Sequence, residues 1–438
     1  MKAVVVAIAL MLTSSISRAD YSLEKGSEQR GSEQKASDKS LDQKSTEEET
    51  LEPAVLESLL PLRLLQGQEK QQAVELIARD TALFETGRAA LLAAVDHSLA
   101  YLRTPSAIDD YREYAVPGIT HDRVRRSLQR FRDLVVDSDS VAELQQAVAT
   151  EFDFYQSIGQ DEAGSVAFTG YFEPTYRASL TPDETYRYPL YSRPLTLDQW
   201  SEPHPTRAEL EGIDGLQAQQ GPLKGLELAW LPTRLEAFLV QVQGSARLEM
   251  TDGSTYSIGY DGRTNYPYTS IGRALIEDGI IPEDELTLPV LMAYFERNPE
   301  ALDRYIPRNN RFVFFRATNG APATGSLGYP VTAGRSIATD KTVMPPGALA
   351  LISLPLPQVN DTQTEADLTE SPVEESSVEE SSVEESPTTS RFVLDQDTGG
   401  AIKGAGRVDL FVGTGADAGE VAGLINHTGA LYYLLLKE

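Results

Sequence analysis

The chain has 438 residues, of which 41% are apolar, and this is enough for two domains with hydrophobic cores. It contains no cysteine, which excludes disulfides, thiolate nucleophiles and Cys-ligated metals, and its four histidines are too scattered to predict a metal centre. The net charge of −28 disfavours binding to a nucleic-acid backbone. We therefore expect neither a metal site nor a nucleic-acid partner.

The N-terminus has the pattern of a secretory signal peptide over residues 1–19. Lys2 precedes an apolar run at 3–12, and small residues surround Arg18. The run is too short to span a bilayer, and a buried N-terminal helix is the alternative. Residues 20–52 lack a hydrophobic period and are rich in Ser, Glu, Gln and Lys, which predicts a disordered spacer.

Helices are predicted from about residue 53 to residue 155. Apolar residues recur at three- and four-residue spacing in "ALFETGRAALLAAVDHSLAYLRT" and in "SVAELQQAVATEFDFYQS". In the second segment Ser140 is a candidate N-cap, with Glu143 three residues later.

The pattern changes after Gly164 to short alternating runs separated by Gly, Pro and Asp-Gly, which indicates strands and hairpins. Two helices are predicted among them, in "TSIGRALIEDG" and "LPVLMAYFERNPEALDRYI". The fold class is therefore mainly β with N-terminal helices. The predicted strands lie in "SVAFTGYFEPTYRASL", "RYPLYSRP", "AFLVQVQGSARLEMTDGSTYSIGY", "RFVFFRA", "ALALISLPLP", "RFVLDQ", "RVDLFVG" and "ALYYLLLK".

An acidic segment at 358–390 interrupts the strands. It holds ten acidic and no basic residues, including the repeat "VEESSVEESSVEES". Such a composition cannot bury a core, so we predict a disordered insertion, with calcium or partner binding as the alternative.

The segment "VDLFVGTGADAGEVAG" has glycines at 413, 415 and 419 after a predicted strand. The spacing differs from that of a dinucleotide-binding loop, and too little chain follows for a second βαβ unit. The glycines indicate a tight strand-to-helix turn, and we expect no cofactor.

Two further segments have the composition of a sugar-binding surface. "FTGYFEPTYR" places Tyr171, Phe172 and Tyr176 beside Gly and Pro, and aromatic faces stack on sugar rings; a strand edge with core aromatics is equally compatible. In "VQVQGSARLEMTDGS", the amide of Gln243 could bind hydroxyl or acetamido groups, as could that of Asn265, although turn geometry alone also accounts for both residues.

The stretch "DTGGAIKGAGRVD" places Asp397 and Asp409 around a glycine-rich loop that also contains Lys403 and Arg407. Cleavage of a glycosidic bond needs a carboxyl group that keeps its proton at neutral pH, and burial favours that form. A nearby cation opposes it, so the two basic residues should point away from the acid or serve the other aspartate. Asp340, in "RSIATDKTVMPPG", is a third acid in a similar context. Paired Asp residues near glycines also occur in ordinary turns.

Several of these segments, in the same order, resemble the membrane-bound lytic murein transglycosylase A (MltA) family with its three-aspartate (3D) domain, over roughly residues 90–438. The resemblance implies a double-psi β-barrel domain, an inserted second β-domain and a glycan groove between them. The implied boundaries are 53–174 for the helical segment and first part of the barrel, 175–320 for the inserted domain, and 321–357 with 391–438 for the rest of the barrel.

The resemblance also implies the site residues. Asp409 would be the single catalytic acid and base, with Asp397 and Asp340 as the other two aspartates. Cleavage between MurNAc and GlcNAc would yield 1,6-anhydroMurNAc. The groove residues that it implies are Gly170, Tyr171, Gln243, Gly244, Ser245, Gly399, Gly400 and Lys403.

The expected partner is a peptidoglycan glycan strand. Because the chain has no Cys to acylate, we expect no stable lipid anchor. We also expect a monomer that is exported to the periplasm or the outer-membrane periphery of a Gram-negative-type bacterium. A hydrolase in which Asp397 activates water and a non-catalytic wall-binding protein remain alternatives. An acidic scaffold that acts through the repeats is a third.

Overall fold

The fold is described from a computed structural model. It describes residues 60–112, 114–218, 221–283, 285–286, 288–357 and 388–438. The predicted signal peptide (1–19) and spacer (20–52) lie outside these residues, as does the predicted insertion except for its last three residues.

The N-terminal helices pack against the largest sheet of the chain. Ser140 caps its helix as predicted, because its side chain accepts a hydrogen bond from the N–H of Glu143. The helices are α1 (Gly67–Leu76), α2 (Arg88–Tyr101), α3 (Pro105–Arg112), α4 (His121–Asp137), α5 (Val141–Glu151), α6 (Arg207–Glu211), α7 (Arg234–Gln243), α8 (Ile271–Glu277), α9 (Leu288–Arg297), α10 (Leu302–Tyr305) and α11 (Ala416–Leu424).

The strands form three sheets, which hold most of the buried apolar residues together with the helices packed on them. They are β1 (Leu62–Leu64), β2 (Phe152–Ser157), β3 (Val166–Glu173), β4 (Thr175–Ala178), β5 (Tyr188–Tyr191), β6 (Glu227–Leu231), β7 (Ser245–Met250), β8 (Thr255–Arg263), β9 (Val313–Ala317), β10 (Ser336–Ala338), β11 (Leu349–Pro355), β12 (Thr388–Asp397), β13 (Arg407–Thr414) and β14 (Asn426–Leu436).

The largest sheet closes on itself. Its order is β1-β2-β14-β11-β12-β10-β13-β3, and a further pairing between β14 and β3 joins six of these strands into a ring. Two pairings in the ring are parallel, β10 with β12 and β13 with β3. A closed ring leaves no free edge among its strands. Helices α2 and α4 pack on the outside, where the rings of Phe131 and Phe392 lie 4.9 Å apart.

A second, four-stranded sheet follows Pro174, in the order β4-β7-β8-β9, and β5 and β6 form a separate ribbon. β3 ends at Glu173 in the ring and β4 begins at Thr175 in the second sheet, so one proline separates the two. The chain returns to the ring at β10.

Two predicted segments have a different structure. The end of "SVAELQQAVATEFDFYQS" is strand β2 rather than helix. Phe152 and Phe154 are both buried, two residues apart on this strand, and they pair with residues of β14. Conversely, "LEAFLVQVQ" is helix α7 rather than strand. Thr233 and Glu236 form a complete capping box at its start, and Gly244 ends it with φ +82°.

The insertion prediction also needs a correction at its end. Residues 388–390 belong to β12, and Thr388 pairs with Pro355 of β11. The chain therefore leaves and re-enters the ring at adjacent positions. Thr388, where the chain re-enters the ring, is nine residues from Asp397, which is a distance of roughly 30 Å along β12.

Candidate active site

A cavity of about 510 Å³ lies between the ring and the second sheet. The ring supplies aromatic and acidic groups, and the second sheet supplies amide and guanidinium groups. The lining residues that matter below are Tyr171, Phe172, Gln243, Gly244, Ser245, Arg263, Arg311, Arg316, Val331, Asp397, Gly399, Gly400, Lys403 and Phe411.

Asp397 and Asp409 lie on either side of Ala338. The register pairs Ala338 with Asp397 on β12 and with Asp409 on β13. Two strand spacings separate the aspartates, which puts their Cα atoms about 10 Å apart.

Asp397 is half-buried in the cavity wall. Its Oδ1 accepts the N–H groups of Ser326 and Thr398, both at 2.8 Å, and its Oδ2 accepts the hydroxyl of Tyr171 at 2.9 Å. Burial raises the pKa of Asp397, and the three hydrogen bonds offset only part of this rise.

Asp409 lies deeper, with 2% of its surface exposed, and does not line the cavity. The register of β13 and β3 pairs it with Thr169, and the next pair on the same face is Phe411 with Tyr171. The rings of that aromatic pair, 5.2 Å apart, line the cavity. Asp409 is thus two residues behind the aromatic surface, roughly 7 Å along the strand.

The two carboxylate oxygens of Asp409 differ in their surroundings. Oδ1 accepts the hydroxyl of Thr169 and lies 3.2 Å from the guanidinium of Arg407. Arg407 also donates to Thr169 at 2.8 Å, so the three side chains form one cluster. Within the described residues, Oδ2 of Asp409 accepts no hydrogen bond. The expectation that Arg407 points away from Asp409 or serves the other aspartate is wrong.

Asp340 is buried and holds the glycine loop. Its Oδ2 accepts the N–H of Gly404 at 2.8 Å, and its Oδ1 accepts the N–H and hydroxyl of Thr342. Burial opposes ionisation, but these hydrogen bonds prevail and lower the pKa of Asp340. Its carboxylate does not line the cavity.

The sequence-predicted groove residues divide into two groups. Gly170 lies outside the cavity, because its Cα faces helix α11, where an added Cβ would meet the backbone of Ala422 at 2.7 Å. Asn265 also lies elsewhere, bonded to Glu202. The others line the cavity: Tyr171, Gln243, Gly244, Ser245, Gly399, Gly400 and Lys403.

Gln243 is the last residue of α7, and both polar atoms of its side chain are buried without a hydrogen-bond partner in the described part of the chain. A buried amide in this state costs free energy unless a ligand or water satisfies it. Gln243 is therefore free to bind a polar group in the cavity.

The sequence matches two families, the MltA specific insert domain over residues 167–316 and the 3D domain over residues 335–435. Membrane-bound lytic murein transglycosylase A of Vibrio cholerae is 32% identical over 284 residues, which cover 64% of this chain and 68% of that protein. The protein of the same name from Escherichia coli K12 is 30% identical over 286 residues, covering 64% and 69%. The chain belongs to this family.

Solved structures of family members have the same fold. A membrane-bound lytic murein transglycosylase from Agrobacterium tumefaciens gives a TM-score of 0.63 at 25% identity, over 82% of this chain and 94% of that one. MltA from E. coli with bound chitohexaose gives 0.60 at 23% identity, over 87% and 96%. The predicted double-psi β-barrel with an inserted second β-domain is confirmed.

Sequence reasoning missed two residues of this MltA-family cavity, Arg263 and Arg311. They lie in "DGRTNYPY" and "NNRFVFFR", the second of which was interpreted only as a strand and as part of the family resemblance. Arg311 has no acid within seven residues in the sequence, and a basic residue without a local partner is the signal that could have identified it. Arg263 gives no such signal, because Asp261 lies two residues before it.

The glycines after β13 have structural roles. Gly413 and Gly415 have φ of +144° and +95°, which L side chains rarely adopt. An added Cβ at Gly419 would lie 2.9 Å from the ring of Phe172. Packing of α11 on β3 thus accounts for this segment.

The described residues contain no group of three or more His, Asp or Glu that could hold a metal ion, and none of their helices is long and apolar enough to cross a membrane.

Proposed function

We propose that the chain is a lytic transglycosylase that cleaves the β-1,4 bond between MurNAc and GlcNAc in peptidoglycan and leaves a 1,6-anhydroMurNAc end. Membership of the family supports this. The structural observation that carries it is the placement of Asp397 and Asp409 on either side of Ala338, with Asp397 lining the cavity and Asp409 buried behind it.

The cavity suits a glycan strand. The rings of Tyr171 and Phe411 offer apolar faces to sugar C–H groups, and the unpaired amide of Gln243 offers a donor and an acceptor to an acetamido group. MltA of E. coli has been solved with bound chitohexaose, a β-1,4 glycan. Gly244, Ser245, Gly399 and Gly400 let backbone approach the sugar closely.

In the proposed mechanism Asp409 acts first as acid and then as base. Thr169 and Arg407 contact Oδ1, so we assign the proton transfers to Oδ2. Oδ2 gives this proton to the glycosidic oxygen, the C1–O4 bond breaks, and positive charge develops on C1 and the ring oxygen of MurNAc. Ionised Asp409 then takes the proton of the C6 hydroxyl while O6 bonds to C1. The proton returns to the enzyme, and no water is consumed.

The other two aspartates support this step. Asp397 lines the cavity, where it would stabilise the developing positive charge or orient Asp409. Asp340 fixes the loop that carries Lys403, through the N–H of Gly404. Lys403 is exposed at the cavity and positions polar groups of the strand.

A hydrolase on the same barrel is the second candidate, because Asp397 lines the cavity and Asp409 does not. The raised pKa of Asp397 suits an acid rather than a base, so in this reaction Asp397 would protonate the leaving oxygen and Asp409 would activate water. This reaction would leave a reducing end in place of the anhydro ring.

We further propose that the enzyme is exported to the periplasm or the outer-membrane periphery and acts there as a monomer. The apolar run at 3–12 supports export.

The ring and the second sheet are proposed to form separate domains with the boundaries given above. The change of sheet at Pro174 supports this division.

Digestion of purified murein sacculi, followed by mass spectrometry, tests the function. The lyase product is one water lighter than the hydrolase product. We expect anhydro ends with the wild type and, for Asp409→Asn, a loss of about 100-fold or more with retained glycan binding. Asp417→Asn, on the exposed surface of α11, is the control and should cleave normally. Reducing ends would establish the hydrolase, and binding without cleavage by the wild type would indicate a wall-binding protein.

A further inference from the structure

Two guanidinium groups in the cavity wall have no acidic partner. Arg263 and Arg311 both line the cavity, and neither has a carboxylate oxygen within 4.0 Å among the described residues. Arg263 donates from Nη1 to the carbonyl of Tyr266 at 3.3 Å, and Arg311 donates from Nε to the same oxygen at 2.9 Å. The two cations are therefore neighbours, and their remaining N–H groups are available.

The other arginines of the cavity are neutralised. Arg316 pairs with Asp261 at 3.3 Å, and buried Arg207 pairs with Glu211 at 3.3 Å. Burial, with a contribution from Arg263, lowers the pKa of Arg311 to about 10. Two adjacent guanidinium groups without a carboxylate partner repel each other, and a bound anion would relieve this repulsion.

The pair also lies next to the catalytic loop. An added Cβ at Gly400 would lie 2.1 Å from Nη1 of Arg311, so this guanidinium lies against the backbone of the loop that begins at Asp397. An anion bound by the pair would lie in the same cavity that Asp397 and Tyr171 line.

We propose that Arg263 and Arg311 bind a carboxylate on the lactyl side of a muramic acid residue. This inference rests on the proposed function. MurNAc differs from GlcNAc by a 3-O-lactyl group, whose carboxylate is free in peptide-free strands and is linked as an amide to a peptide in the others. The peptide brings carboxylates of its own. A pair of adjacent guanidiniums is suited to bidentate binding of such a group.

The test compares binding of three probes to the Asp409→Asn protein, which does not cleave them: chitohexaose, which carries no carboxylate, peptide-free MurNAc–GlcNAc strands, and peptide-bearing strands. We expect Arg263→Gln and Arg311→Gln to weaken binding of a carboxylate-bearing strand about tenfold, with less dependence on salt. Binding of chitohexaose should stay within about twofold. Loss with peptide-free strands identifies the lactyl carboxylate, whereas loss only with peptide-bearing strands identifies the peptide.

Arg304→Gln is the matched control, because it removes an exposed cation outside the cavity that Asp278 already neutralises, and it should change the binding of all three probes by less than about twofold. Arg263 is exposed, so Arg263→Gln should fold even if Arg311→Gln does not. Equal losses for chitohexaose and the charged strands, or no loss for any probe, would overturn the inference. If the unmutated enzyme also fails to cleave sacculi and no probe binds, both the proposed function and this inference fail.

Discussion

Arg407 and Asp409 project from the same face of one strand, and the guanidinium of Arg407 lies 3.2 Å from Oδ1 of Asp409. Thr169, on the neighbouring parallel strand, donates to the same oxygen and accepts from Arg407. One carboxylate oxygen is thus fixed by the strands themselves. The other oxygen is the one left for proton transfer.

Thr169→Val tests this arrangement. Valine keeps the shape of the side chain but removes the hydroxyl, so Asp409 loses one of the two groups that orient it. We expect turnover on sacculi to fall roughly 10- to 100-fold, and the free energy of unfolding to fall by about 1–3 kcal/mol.

Thr414→Val is the matched control, since Thr414 donates to Glu173 at 2.9 Å from the same pair of strands. It should cost stability by the same mechanism while turnover is kept. Equal losses of turnover in both variants would mean that the hydroxyl of Thr169 only stabilises the sheet.

Asp397→Asn should change how stability depends on pH. Because folding raises the pKa of Asp397, the folded state resists its ionisation, and this makes the wild type lose stability as the pH rises from about 3.9 through the folded pKa. The asparagine variant lacks that loss. Its free energy of unfolding, from urea titrations, should therefore rise relative to wild type between pH 4 and pH 7. A constant difference across this range would contradict the raised pKa.

Asp340→Asn should show the opposite dependence. Folding lowers the pKa of Asp340, so its ionised form stabilises the fold above pH 3.9, and this contribution is lost as the pH falls through the folded pKa. We expect the variant to be about 1–3 kcal/mol less stable at pH 7, because hydrogen bonds from Thr342 and Gly404 lose a charged acceptor. The difference should shrink in urea titrations at pH 3. If it is unchanged there, the effect is one of packing rather than charge.

A pair of glycine substitutions separates stability from the site. Gly170→Ala places a Cβ 2.7 Å from the backbone of Ala422, which cannot move alone, so we expect a loss of about 1–3 kcal/mol in thermal or urea unfolding. Gly400→Ala meets the far end of the Arg311 side chain, which can move, and its Cβ lies 3.3 Å from the Cβ of Tyr268. It should keep stability within about 0.5 kcal/mol but weaken glycan binding. The reverse pattern would place Gly170, not Gly400, at the substrate.

Much of the fold was predictable from local patterns. Ser140 with Glu143, and the alternating run around Asp409, gave correct elements because capping and period-two burial are local properties. The predictions for the segments that form β2 and α7 were wrong, because "EFDFYQS" continues a helical stretch and "LVQVQ" alternates like a strand. For α7 the capping box of Thr233 and Glu236 was the overlooked signal, whereas β2 depends on pairing with β14, more than 250 residues away.

By itself, the sequence determined the chemistry that the chain has available: no thiol, scattered histidines, and acids beside a glycine loop. It also determined the family, through the order of its motifs. Only the tertiary structure decided which oxygen of Asp409 is fixed, that Gly170 serves helix packing, and that Arg263 and Arg311 meet without an acid. The reason is physical: a side chain's ionisation and availability depend on neighbours that sheet closure brings together, and these neighbours are distant in the chain.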